Sequence, residues 1–89
     1  MWVRKMSIEK QILYLLSKKK AMESKDIITI FERMDYTPQT IRNTLSKLKK
    51  LEYVMTINRS VYTLNPKGFE YITNLVSKVD YYRETWNQT

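Results

Sequence analysis

Residues 39–50 hold the side chains whose types and spacing could do chemistry: Gln39, Thr40, Arg42, Asn43, Ser46, Lys47, Lys49 and Lys50. At about 100° per residue of helix, Gln39, Asn43, Ser46 and Lys50 centre one side. Thr40 and Lys47 flank it on one edge, Arg42 and Lys49 on the other, while Ile41, Leu45 and Leu48 form a narrow apolar stripe opposite. Cations, amides and a hydroxyl row with no carboxylate among them suit the binding of a polyanion rather than the making or breaking of bonds.

Catalysis has little to work with elsewhere. The chain has no His and no Cys, which excludes disulfides, thiolate chemistry, imidazole acid–base work and an ordinary zinc site. Its single Gly cannot write a dinucleotide-binding or phosphate-cradling glycine loop. Nine scattered carboxylates on 89 residues offer no enclosed, water-excluding site, so neither an enzyme nor a metal or other cofactor is expected. Against those nine acids stand 16 Lys and Arg, for a net charge of +7, and an excess of that size attracts nucleic acid or an anionic surface.

The charge is unevenly spread. Residues 1–36 carry 8 cations and 5 acids, residues 37–65 carry 5 and 1, and residues 66–89 carry 3 and 3. The middle third is therefore the most basic, and the last stretch is neutral. A membrane-spanning role fails on length, because the longest apolar run, Ile12 to Leu16, is far short of the roughly 20 residues required. With Lys18-Lys19-Lys20 where a cleavage site would lie, an export signal is not expected either, and the reading is an intracellular, cytoplasmic protein.

The elements that must position these groups follow from caps and periodicity. Ser7 can cap a helix with apolar positions Ile8, Ile12, Leu15 and Leu16, and Lys18-Lys19-Lys20 suit the negative pole at its end. Ser24 is the next cap candidate, ahead of a shorter face made of Ile27, Ile28, Phe31 and Met34, with Asp35-Tyr36 as a tight connection. Thr37-Pro38 is the clearest helix start, since Pro at the first helical position gives up only an unpartnered N–H.

After residue 51 the pattern changes. Tyr53–Ile57 and Val61–Leu64 are β-branched and aromatic, and Asn58-Arg59-Ser60 between them predicts a short hairpin with Asn58 available for positive φ. Asn65-Pro66-Lys67-Gly68 opens a last helix over residues 66–87. There Phe69, Ile72, Leu75, Val76, Val79, Tyr82 and Trp86 share an arc about 140° wide. An arc so long exceeds what a small domain can cover by itself, so Ile72, Leu75, Val76, Val79, Tyr82 and Trp86 are expected to form a dimer interface. The fold class expected is α+β, mainly α with a small β-hairpin: one domain over residues 1–89, with a core at 7–65.

Helix, helix, helix and hairpin is also the order of the winged helix-turn-helix superfamily, and the residues resemble it. Thr37-Pro38, Thr40-Ile41-Arg42, Leu45 with Leu48, and Tyr53-Val54 resemble its recognition helix and first wing strand. Val61–Leu64 with Asn65-Pro66-Lys67-Gly68 is similar to its second strand and the turn into the following helix. Glu52 stands where Gly is usual and Asn65 where Thr is usual. The resemblance covers roughly residues 7–70 and looks closest to the MarR- and PadR-like regulators, including very small versions from archaea and their viruses.

The resemblance implies a homodimeric transcription regulator, a repressor, with double-stranded DNA as partner. It implies that Gln39, Thr40, Arg42, Asn43 and Lys47 enter the major groove, and that Thr37 and the helix start meet a phosphate. Arg59 at the hairpin tip would meet the minor groove or the backbone. Two rival readings stay open at this point: a protein-interaction module whose basic face meets an acidic surface, and a non-specific DNA-coating or replication accessory protein.

Overall fold

The apolar spacing of residues 8–16 folds as α1 (Ile8–Lys19), with the Ser7 hydroxyl accepting from the Lys10 N–H at 3.4 Å. A computed structural model of the chain describes residues 7–76. Within them α1 is followed by β1 (Ala21–Glu23), α2 (Ser24–Glu32), α3 (Pro38–Lys50), β2 (Val54–Ile57) and β3 (Val61–Leu64). A fourth helix, α4, begins at residue 66 and runs through 76, the last described position. The described chain is thus α+β, four helices with a three-stranded antiparallel sheet in the order β1-β3-β2.

The hairpin expected at 53–64 is present, with Val54 opposite Leu64 and Ile57 opposite Val61. Asn58 takes positive φ, and so does Arg59 beside it, at 53° and 69°. The third strand, β1, was not expected. Ala21, Met22 and Glu23 pair with Thr63, Tyr62 and Val61, which holds the link from α1 to α2 extended. This also displaces the expected cap. Glu23 occupies the cap position without a side-chain capping bond, its carboxylate pairing with Lys25 instead, and Ser24 is already helical, its N–H donating to the Ser60 carbonyl at 2.8 Å. Met34 likewise leaves the expected helical face: α2 ends at Glu32, and Met34 sits half-exposed in the turn after it.

All four helices contribute to one core. Ile12, Leu13 and Leu16 of α1 meet Ile27 and Phe31 of α2, Ile41, Leu45 and Leu48 of α3, Val54 of β2 and Ile72 of α4. Every one of these is at most 2% exposed. Ile72 therefore belongs to the core of the single chain, not to a surface between two chains. Its neighbours Leu75 and Val76 are half-buried against the same core.

Two helices end the same way. After α3, the Tyr53 N–H donates to the Leu48 carbonyl and the Glu52 N–H to the Lys49 carbonyl, both at 3.0 Å, with Glu52 at φ 65°. After α2, Tyr36 donates to Phe31 and Asp35 to Glu32, with Asp35 at φ 71°. Tyr36 then packs its ring edge-on to Phe31. This paired-bond ending satisfies the last carbonyls of a helix and normally carries Gly at the left-handed position. Here acidic residues stand there; Asp35 tolerates the conformation better than Glu52, whose steric cost is roughly 1–2 kcal/mol.

The α3 ending is locked from the other side. The Asn65 N–H donates to the Tyr53 carbonyl at 3.0 Å, and its side-chain amide donates to the Glu52 and Val54 carbonyls at 3.0 and 3.2 Å. Threonine has one hydroxyl proton and cannot bridge two carbonyls, which explains the amide at this position. Lys67 adds a bond from Nζ to the Leu51 carbonyl at 3.1 Å while lying over the Tyr53 ring. Gly68 is buried against the Tyr53 carbonyl so closely that a methyl group built there would overlap the oxygen.

Two stability changes of opposite sign follow. Glu52→Gly relieves the left-handed strain and should raise stability by about 1 kcal/mol, a gain of roughly 4–8 °C in Tm by thermal denaturation. Gly68→Ala should lower stability by roughly 1–3 kcal/mol, because α4 or the Tyr53 backbone must shift to admit the methyl. An unchanged Tm for either variant would contradict the corresponding contact.

Candidate nucleic-acid interface

Helix α3 is built to turn one side inward and leave the other bare. Thr37 stays extended, accepts the Thr40 N–H on Oγ1 at 3.2 Å, and Pro38 begins the helix. Ile41, Leu45 and Leu48 are buried, and Thr44 between them is 8% exposed with its hydroxyl donating to the Thr40 carbonyl at 2.8 Å. The inward side is thereby dry and fully bonded. Gln39, Thr40, Arg42, Asn43, Ser46, Lys47, Lys49 and Lys50 are all exposed. Lys47, Lys49 and Lys50 also fall in the last turn, where cations complement the helix dipole.

The side chains on this surface are partly engaged with one another. Gln39 Nε2 donates to Asn43 Oδ1 at 2.9 Å, one turn along. That bond uses one of two amide hydrogens on Gln39 and one lone pair on Asn43, so both kinds of hydrogen-bonding group remain on the pair. Thr37 Oγ1 donates to Thr40 Oγ1 at 2.9 Å, which commits its proton to the helix start. Lys47 reaches across to α1, where its Nζ lies 2.8 Å from Glu9 Oε1. Arg42 makes no ion pair among the described residues.

Six of the seven residues expected to contact a polyanion are thus carried by α3 and its cap. Arg59 is the exception. It is exposed on the hairpin turn, where its φ of 69° and the 2.7 Å bond from the Ser60 N–H to the Asn58 carbonyl fix the loop. The contact between Lys47 and Glu9 was not visible in the sequence, since residues 38 apart carry no spacing signal. Nor was the engagement of Lys67, whose amine serves the end of α3 rather than a surface. Tyr53 is a packing residue, stacked on Tyr71 at 5.2 Å between centroids.

The residues expected at a dimer interface divide. Ile72 is fully buried in the core, Leu75 and Val76 are half-buried, and Val79, Tyr82 and Trp86 lie outside the described residues. Phe69, 54% exposed, lies beside Leu16, Leu64 and Pro66 along an open groove.

Among the described residues no group of His, Cys, Asp and Glu side chains could hold a metal ion. No helix among them is long and apolar enough to cross a membrane. No family model, curated protein or solved structure matches this chain.

Proposed function

We propose that this chain is a winged helix-turn-helix protein that binds double-stranded DNA as a homodimer and acts as a transcription repressor in the cytoplasm. The observation that carries the reading is the outward side of α3, which is exposed along its length and bears amides and cations without a carboxylate of its own. The element order supports it as well. Helices α2 and α3 are joined by a five-residue turn, residues 33–37, and a hairpin follows α3 directly.

An α-helix with its side chains is about 10–12 Å across, close to the width of the major groove. In the proposed complex α3 enters that groove. The Gln39–Asn43 pair offers the donor and acceptor combination that reads an adenine edge, and Arg42 meets guanine or a phosphate. Lys47, held by Glu9, stands at the rim beside the backbone, while Thr37 and the Gln39 N–H at the start of α3 lie toward a phosphate, as helix starts do for anions. Arg59 reaches the minor groove or the adjoining backbone from the hairpin tip.

Two copies joined through α4 and the residues beyond it would set two α3 helices about 34 Å apart, over an inverted repeat. Leu75, Val76, Val79, Tyr82 and Trp86 are the proposed contacts. Ile72 is left out because its side chain is already spent on the core. Repression would be steric, by occupancy of the site.

Selection from a pool of random duplexes tests the reading directly, with an enriched inverted repeat as the expected outcome. Retention without enrichment would instead identify a coating protein, and no retention would move the case to a protein partner. On the selected duplex, Arg42→Ala should cost roughly 1–3 kcal/mol of binding with fold and oligomer mass unchanged. Wild-type affinity in that variant would remove α3 from the interface. Val79→Asp should yield a monomer by light scattering, because an unpaired charge in an apolar seam is costly. A persistent dimer mass would locate the interface elsewhere.

A further inference from the structure

We propose that Glu9 is a built-in competitor of DNA phosphate. Its carboxylate neutralises Lys47 and withholds one positive charge from the surface of α3, setting the strength and salt sensitivity of binding. This inference rests on the DNA-binding reading of α3.

The geometry is specific. At about 100° per residue, Lys47 stands on the edge of the exposed side of α3, next to buried Thr44, while Arg42 and Lys49 stand on the far edge. Glu9 lies in the first turn of α1, where an acid is already favoured by the positive end of the helix. It turns its carboxylate to the neighbouring helix and meets Lys47 Nζ at 2.8 Å. Among the described residues, Lys47 is the one cation of α3 with an acidic partner. The exposed side of α3 thus has an acid-free row supplied by its own sequence and one acid delivered to its rim by α1.

Both side chains remain substantially exposed, Lys47 at 60% and Glu9 at 37%. An ion pair so close to water adds little to folding. Its effect on a polyanion is larger in kind, because the pair presents no net charge where Lys47 alone would present one. A phosphate approaching Lys47 must displace or tolerate a carboxylate within one screening length, about 8–10 Å at ordinary salt.

The test is a salt titration on a mixed-sequence DNA duplex between about 50 and 200 mM salt, where each neutralised phosphate contributes a log–log slope near −0.9. Glu9→Gln keeps the shape of the side chain and should steepen the slope by about 0.9 while tightening binding roughly two- to fivefold at the low end. The double variant Glu9→Gln with Lys47→Gln restores a neutral pair and should return the slope to the wild-type value. A wild-type slope in Glu9→Gln, with the double variant shallower than wild type, would mean that Lys47 is fully available despite Glu9 and would overturn the inference alone. A lower Tm with unmoved slopes would reduce the contact to a structural tie and overturn it too. If neither the wild type nor Glu9→Gln binds the duplex at any salt, the DNA-binding reading itself falls, and this inference with it.

Discussion

The backbone carbonyl of Tyr53 is the point on which the arrangement turns. It accepts the Asn65 N–H, and Gly68 passes directly against it. Around it the Asn65 amide holds the carbonyls of Glu52 and Val54, and Lys67 holds that of Leu51. Three elements meet there: the end of α3, the first strand of the hairpin and the start of α4. The last carbonyls of a helix have no partner within it and must be bonded from outside. Bonding them from a single Asn-Pro-Lys-Gly segment fixes the direction in which α3 leaves the core. The orientation of its outward side is thus decided by residues that are not on it.

Much of this was legible from local rules. The Thr37-Pro38 start of α3, the Ser7 cap of α1 and the positive φ of Asn58 depend on neighbours within four residues, and sequence carries such information directly. The acid-free row on α3 was legible for the same reason. What escaped depends on partners far along the chain. Strand β1 is three residues long, too short for a period of two to declare itself, and Ala21–Glu23 become extended only because β3 is there to pair with them. Ser24 loses its expected capping role for that reason. Ile72 shares its helical arc with residues further along, and periodicity alone cannot separate a side chain that faces the core from one that faces a second chain. The ion pair of Glu9 with Lys47 is likewise a product of packing between α1 and α3.

The chain makes its turns with little glycine. Lys20, Asp35, Glu52, Asn58 and Arg59 all adopt positive φ, and the one Gly is spent on close approach instead of on a turn. Asn and Asp tolerate the left-handed region best; Glu52 and Arg59 take positive φ at a cost. That cost is tolerable because the surrounding bonds over-determine each turn, most plainly at Glu52, where the bonds after α3 and the Asn65 amide act on adjacent peptides.

Strand β1 has a consequence for how the molecule assembles. Its three residues pair with β3 some forty positions later, so α2, α3 and β2 all lie inside the loop that this ladder closes. Closing so long a loop costs chain entropy before three residue pairs can offset it, so the ladder gains most once the enclosed helices have already packed. The hairpin of β2 and β3, whose partners are close in sequence, has no such delay. In the finished fold the same ladder acts as a clasp. It ties the start of α2 to the hairpin that follows α3, so the two ends of the enclosed segment are held side by side.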